Sequence, residues 1–480
     1  MSPRILVLCL ALLAGRSEAG DTDRPNVLLM IADDQGWADL SCMGIVEDVK
    51  TPRLDALAGE GVRFERAYAG SPICNVSRSA LITGCYPQRF GSFWYGGKGI
   101  HDTRFVTLSE LFDAAGYDTA YVGKFHYGAH KFHQPGQRSF PLEHGFDSLF
   151  GFSGGRKHYL VHEAERESGF MAVKREHERK GQSLQQGPFW EGDRKADVTG
   201  FSTELLGERA RAFLAREREE PFFLVLSFNA VHNFTHQLPA DYLAEHGLGG
   251  YRDWDPATED YYEWYRAGRK PNNPEGRAHY LGQLHFLDRE VGLVLDELER
   301  LELDEETVVV YVGDNGGSTP IYADNGPLRG SKYTLYEGGV RVPLLVRWPG
   351  HAEAGAVRDE VVSVMDLYPT LALAAGIPVP EHVDGHALGG LLDGVSPREP
   401  HEFLAWDTGH ESALLRGHHK LKVARSNDHA IREMVEVEVG SFLYDLEADP
   451  GEEVDLSSDS EELHRELVLL HASWRASLQD

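Results

Sequence analysis

Cys74 and Arg78 stand four residues apart in SPICNVSRSALITGCYPQR, residues Ser71 to Arg89, where the pattern predicts a helix start near the cysteine. Residues at that spacing share one helix face. The free N–H groups and the dipole of a helix start favour an anion, and a thiol placed there would be acidic and reactive. Ser77 is placed to cap the helix, and Ser79 to Ile82 to continue it. Asp33 and Asp34 are a second candidate, because adjacent carboxylates repel each other and invite a cation. Lys124 with His126, then His232, then Asp314 with Asn315, are three further clusters able to hold charge or move protons. Any one of these alone is explained as well by a packed cysteine or a solvated turn.

Their shared setting argues for a common site. NVLLMI (Asn26–Ile31), the run ending at Gly123, FFLVLSF (Phe222–Phe228) and TVVVYV (Thr307–Val312) are continuous apolar stretches that predict strands buried on both faces. Each runs into one of the four clusters, and in open α/β sheets the ligand site lies beyond the carboxyl ends of the strands. VPLLVRW (Val342–Trp348) predicts a fifth strand, and Ala278–Leu301 a long helix. The polar stretches His158–Lys195 and Tyr251–Arg277 read as surface excursions over the site. From Glu399 short strands and turns predict a small antiparallel subdomain, which divides the chain into residues 1–20, 21–398 and 399–480.

Composition narrows the function. The 480-residue chain carries 47 basic and 76 acidic residues, a formal charge of -29, which argues against general binding to nucleic acid or to anionic membranes. Its first twenty residues have a basic residue, a short apolar core and small residues at Ser17 and Ala19, the pattern of an export signal cleaved near Ala19 or Gly20. No later run is long enough for stable membrane insertion. The mature chain is therefore expected to be exported, periplasmic or secreted. Cys42, Cys74 and Cys85 are too few for a disulfide scaffold; a Cys42–Cys85 bridge would leave Cys74 free.

Assembled in this order, the residues resemble the sulfatase family of the alkaline-phosphatase-like superfamily, from Pro25 to about Leu456. Cys74, Ser77, Arg78, Leu81, Thr83 and Gly84 match its CxPSR segment with the following leucine and Thr-Gly. Asp33 and Asp34 resemble its paired aspartates, Asp314 and Asn315 its DNG turn, Gly123–His126 its GKxH motif, and His232 its histidine after a strand. Lys332 resembles the lysine before the family's EGG turn, here Glu337-Gly338-Gly339, and Leu443–Glu452 the LYDLxxDPxE of its smaller domain.

The resemblance implies an α/β fold with a central mixed sheet flanked by helices and a smaller C-terminal antiparallel subdomain. It implies that a formylglycine-generating enzyme oxidises Cys74 to formylglycine. Asp33, Asp34, Cys74, Asp314 and Asn315 would bind one Ca2+, a hard cation that suits oxygen donors. The reaction implied is hydrolysis of a sulfate monoester, on a sulfated saccharide or an aryl sulfate. The metal would polarise the sulfate and activate the attacking hydroxyl, whose proton Asp314 accepts. Arg78, Lys124 and Lys332 would balance the sulfate oxygens, and His232 with Lys332 would protonate the leaving oxygen. His126 would then deprotonate the remaining hydroxyl of the sulfated adduct, expelling sulfate.

Val76 occupies the position that is proline or alanine in the family. Two alternatives follow: an inactive relative that binds calcium and sulfated glycans, or a phosphatase or phosphonate hydrolase on the same fold. His236 could reach substrate or lie on the surface, while His101, His130, His133 and His144 are expected outside the reacting shell. The sequons at Asn75 and Asn233 read as chance matches, because a glycan there would obstruct the site.

Overall fold

A computed structural model describes residues 24–154, 156–161, 187–250, 254–255, 258–395, 398–427 and 437–478. The proposed export signal, and residues 162–186 of the first polar excursion, lie outside them. The strands that matter for the site are β1 (Asn26–Ala32), β2 (Val62–Phe64), β3 (Asp118–Phe125), β4 (Ser148–Ser153), β5 (Phe222–Ser227), β6 (Thr307–Gly313) and β7 (Leu344–Arg347). They form the middle of a ten-stranded sheet, in the order β2, β7, β6, β1, β5, β3, β4. β6, β1, β5, β3 and β4 are mutually parallel, whereas β7 is antiparallel to both β6 and β2. The sheet is thus mixed, and β1, β3, β5 and β6 all end at the same edge.

The apolar runs are continuous because both faces are covered. Leu28 and Met30 of β1 pack in a core with α4 (Ser202–Leu214) and α5 (Gly276–Arg300), while Val27, Leu29 and Ile31 face α2 (Cys74–Thr83), α3 (Leu108–Ala114) and α6 (Leu367–Ala374). α1 (Pro52–Glu60) joins the first layer through Leu54 and Leu57. β7 begins later than its apolar run because Pro343 has no N–H for a ladder bond. β3 extends two residues beyond Gly123, since Lys124 and Phe125 remain paired with Phe152 and Ser153 of β4.

The C-terminal sheet is antiparallel throughout, with β8 (Leu404–Asp407), β9 (Glu411–Arg416), β10 (His419–Ala424) and β11 (Gly440–Asp445) in sequence order. α7 (Glu461–Ser477) packs on it through Leu467 and Trp474. Its other contacts join it to the large sheet's layers. Leu404 and Trp406 share a core with Tyr68, Leu335 and Tyr336, and Trp406 Nε1 donates to Ala69 O at 2.8 Å. The bridge considered between Cys42 and Cys85 does not form: both thiols are free. Cys42 packs against the core on the α5 face, whereas Cys85 follows α2 on the opposite face, so the sheet separates them.

Candidate active site

The four strand ends and the start of α2 meet in one buried cluster. Asp314 N donates to Ala32 O at 3.0 Å and Asp33 N to Ala230 O at 2.9 Å, so the loops after β1, β5 and β6 are tied by backbone bonds. Asp34 lies in the left-handed region at φ 61°, a conformation aspartate tolerates better than most residues. Its neighbour Asp33 can thus face one way while Asp34 faces another. Gly123, at φ 121°, precedes Lys124; a Cβ there would lie 1.8 Å from Ser227 O, so only glycine allows β3 to approach β5 so closely.

Cys74 is the first residue of α2, and Ile73 precedes it without any side-chain cap. Ser77 does not cap the helix as expected. It lies within the first turns, and its Oγ accepts from Gly70 N at 3.2 Å. Arg78, one turn past Cys74, donates from Nε to Asp314 Oδ2 at 2.8 Å and from Nη1 to Lys124 O and Ser227 Oγ. Its Nη2 lies 3.7 Å from Asp33 Oδ1. Lys124 pairs with Asp33 Oδ2. Lys332 Nζ lies 2.5 Å from Asp34 Oδ1 and 3.8 Å from Cys74 Sγ. Asn315 Nδ2 donates to Asp34 Oδ1 at 2.9 Å.

Three buried carboxylates, Asp33, Asp34 and Asp314, therefore face three buried cations, Arg78, Lys124 and Lys332. Burial alone would raise the Asp33 carboxyl, but Lys124, His232, Arg78 and Lys332 hold it well below the usual carboxylate range. Burial pushes Asp314 up to about 6, with Arg78 opposing the rise and Asp33 and Asp34 adding to it. Burial would lower Lys332, yet Asp34 and Cys74 hold it well above the ordinary lysine value.

The two histidines differ. His232 Nδ1 lies 3.0 Å from Asn233 O, which can only accept, so Nδ1 carries the proton and Nε2 faces Asp34 Oδ2 at 3.4 Å. Burial, then Lys332, Lys124 and Lys157, push its pKa well below 6.5 although Asp33 pulls the other way. His126 is lowered too, by burial and then by Lys124, His133, His130 and Arg78. Its Nδ1 has no hydrogen-bond partner. His130 and His133 sit against its ring, with centroids 5.7 Å away in each case, rather than on the carboxylates.

All ten residues singled out in the sequence are thus gathered, Lys332 included. Sequence reasoning missed Ser227, which accepts from Arg78 and donates to Lys124 O at 2.8 Å. Its signal was a lone hydroxyl ending an apolar strand. It also missed Tyr159, whose hydroxyl bonds His232 O at 2.7 Å and fixes that loop. His158, Tyr159 and Val161 are buried rather than part of a surface excursion, because this stretch packs beneath the loop after β5. His236 is likewise buried, against Trp264. Asn75 and Asn233 are both buried, in keeping with chance sequons. At the mouth, the half-exposed Tyr95 lies 6.2 Å from the Tyr333 ring, with its hydroxyl 4.0 Å from Cys74 Sγ.

Comparison with known proteins decides the family. Residues 25–377 match the sulfatase family model, and residues 331–472 match the C-terminal model of N-sulphoglucosamine sulphohydrolase. The chain belongs to the sulfatase family. It is 29% identical to mouse (Mus musculus) steryl-sulfatase, over 95% of this chain and 82% of that protein. It is 31% identical to human (Homo sapiens) N-acetylgalactosamine-6-sulfatase, over 85% and 73% respectively. A solved structure, Ps i-CgsB in complex with k-i-k-neocarrahexaose, superposes with a TM-score of 0.76 at 28% identity, covering 94% of this chain and 93% of that one. This sulfatase is accordingly a sulfuric ester hydrolase with the alkaline-phosphatase-like fold. None of its described helices is long and apolar enough to cross a membrane.

Proposed function

We propose that this sulfatase cleaves sulfate monoesters on a sulfated saccharide, with Cys74 converted to formylglycine by a formylglycine-generating enzyme and one Ca2+ held by Asp33, Asp34, Asp314, Asn315 and residue 74. The observation that carries this reading is the position of Cys74. Its Sγ lies within 4.8 Å of ligand atoms of Asp33 and Asp314, at the start of α2 and beside Lys332. Asp33 Oδ1 and Asn315 Oδ1 are buried acceptors without a hydrogen-bond donor, as expected of atoms meant for a cation. Oxygen donors of this kind suit calcium. When present, the ion polarises the sulfate, and the hydrated formylglycine supplies the attacking oxygen.

The protein's own side chains do the remaining work. The three aspartates and three cations cancel in charge, so a bound dication would leave the pocket positive and favour the singly charged ester. Asp314 is placed to receive the proton of the attacking hydroxyl, and Arg78, Lys124 and Lys332 to hold the sulfate oxygens. The sulfate's negative charge offsets the lysines that depress His232, so Nε2 can carry the proton that the leaving oxygen takes. His126, neutral and with Nδ1 unengaged, is suited to remove the proton that releases sulfate. Tyr95 and Tyr333 offer ring faces for a sugar. We also propose that residues 1–20 direct export and are removed, and that residues 21–398 and 399–480 form the catalytic domain and the C-terminal subdomain.

Mass analysis of the peptide containing Cys74, from protein made in its native host, tests the reading. Conversion to the aldehyde is expected, and Cys74→Ala should abolish turnover of 4-methylumbelliferyl sulfate. Unmodified thiol throughout, or undiminished turnover by the alanine variant, would remove Cys74 from the mechanism.

A further inference from the structure

Lys332 sits in a loop whose local conformation is unfavourable. The next residue, Tyr333, lies in the left-handed region at φ 82°, which a bulky side chain adopts only where its surroundings impose it. Bonds from three directions hold the segment. Lys332 N donates to Gly317 O at 3.0 Å, in the loop after β6, and Tyr333 N donates to Pro72 O at 2.8 Å, two residues before Cys74. The third bond reaches the C-terminal subdomain: Leu335 N donates to Glu411 Oε2 at 3.1 Å.

Glu411 opens β9, and its backbone is fixed by Thr408, whose Oγ1 accepts from Glu411 N and whose N donates to Glu411 O, both at 2.9 Å. Ala413 pairs with Lys422 of β10, so Glu411, two residues back, shares a sheet face with Lys422 as its diagonal neighbour. Ala413 and Leu415 turn that face into the core that holds Leu335 and Tyr336. Lys422 Nζ lies 3.1 Å from Glu411 Oε2 and 4.0 Å from the centre of the Tyr336 ring. Both charged side chains are buried. A buried ion pair is a weak device for stability, because desolvation offsets its attraction and apolar side chains often serve as well. What this pair supplies is direction: a charged acceptor aimed at one backbone N–H, three residues from Lys332.

We propose that Glu411, braced by Lys422, is a positioning residue for the active site: it fixes the Leu335 amide and so holds Lys332 Nζ beside Asp34 and residue 74, where the sulfate is bound. The C-terminal subdomain thereby acts on turnover through the Lys332 segment. This rests on the reading of Lys332 as a cation that holds the sulfate oxygens.

A double-mutant cycle separates positioning from general stability. Turnover of 4-methylumbelliferyl sulfate, and calorimetric binding of inorganic sulfate, are measured for the parent, Glu411→Ala, Lys332→Met and the double variant, each well below its melting temperature. Glu411→Ala is expected to lower kcat/KM by about 10-fold to 100-fold, the scale of a displacement of about 1 Å at the reacting centre. Where Lys332 is already Met, the same change should cost less than about twofold, since residues acting through one another are not additive. Glu411→Gln keeps an acceptor for Leu335 N and should recover most of the loss. Should Glu411→Ala not fold, the cycle is run with Glu411→Leu combined with Lys422→Met, which leaves no charge buried alone. Undiminished kcat/KM in Glu411→Ala, or an equal proportional loss with and without Lys332, overturns the positioning role. A parent that hydrolyses no sulfate ester sinks the sulfatase reading instead, and sulfate affinity then decides. Weakening by Glu411→Ala only where Lys332 is present keeps the positioning role, whereas equal weakening in both backgrounds, or none, overturns it. A parent that does not bind sulfate removes both.

Discussion

Arg78 Nε donates to Asp314 Oδ2 at 2.8 Å with both side chains buried, joining the start of α2 to the end of β6. The same guanidinium bonds Lys124 O and Ser227 Oγ, so one side chain ties α2 to three parallel strands. Removing one partner of a buried ion pair leaves the other uncompensated, at a cost of about 3–5 kcal/mol. Arg78→Met should lose stability on that scale in urea unfolding, and Arg78→Lys should recover little, because an ammonium cannot span these partners in the fork geometry. A loss below about 1 kcal/mol, the range of an exposed pair, would show that the pair does not organise the site.

Chelation offers an independent reading of the oxygen cluster. If Asp33, Asp34, Asp314 and Asn315 hold calcium only in the folded state, excess ion at about 100 times Kd stabilises by about 2.7 kcal/mol. EGTA should lower the melting temperature and abolish turnover, and added calcium should restore both. Asp33→Asn should melt lower and no longer respond to calcium. A melting temperature indifferent to EGTA and calcium would count against the ion.

Beneath the C-terminal sheet, Lys420 lies 2.8 Å from Glu337 Oε1 and 3.1 Å from Glu452 Oε1, all three side chains being buried. Burial raises Glu452 to about 7, with Lys420 opposing and Glu337 adding, whereas Lys420 and Arg341 bring Glu337 below its usual value despite burial. One lysine thus serves two carboxylates, and Glu452 is the one that keeps a proton. A carboxyl raised in the folded state contributes stability that is complete below its unfolded pKa, about 4.3, and is lost as pH rises through about 7. Unfolding midpoints should therefore fall between about pH 4 and 7, and Glu452→Gln should flatten that slope. Parallel pH profiles for the two proteins would exclude Glu452 as the titrating group.

The edge at which the charged cluster gathers was legible because β1, β5 and β6 are unbroken apolar runs, and such runs have few ways to end except at a charged loop. The start of α2 at Cys74 was legible for a similar reason, since Arg78 is one turn on. The cap was not: Ser77 has the right chemistry for it, but tertiary packing puts its hydroxyl on Gly70 N. Tyr159 and His158 were hidden in a polar, weakly periodic stretch, because their burial comes from the loop after β5 and from Trp264, distant in sequence. Lys332 stood out only through the family motif. Nothing local distinguishes a lysine that pairs with Asp34 from one in water.

His232 and His126 should separate when the leaving group is varied. An alkoxide leaving a sugar needs a proton, whereas an acidic phenol leaves without one, so only the first would depend on the acid proposed at His232 Nε2. His232→Asn should lower kcat/KM for a saccharide sulfate by about 100-fold to 10,000-fold, the usual worth of a general acid, and for 4-nitrophenyl sulfate far less. A plot of log kcat/KM against leaving-group pKa should steepen in that variant. His126→Asn should instead slow sulfate release, the same for either substrate, and give a burst of phenol followed by slow turnover. Equal losses for both leaving groups in His232→Asn would assign that side chain to binding rather than proton donation, and would pass the acid's role to Lys332, whose Nζ lies 3.8 Å from Cys74 Sγ.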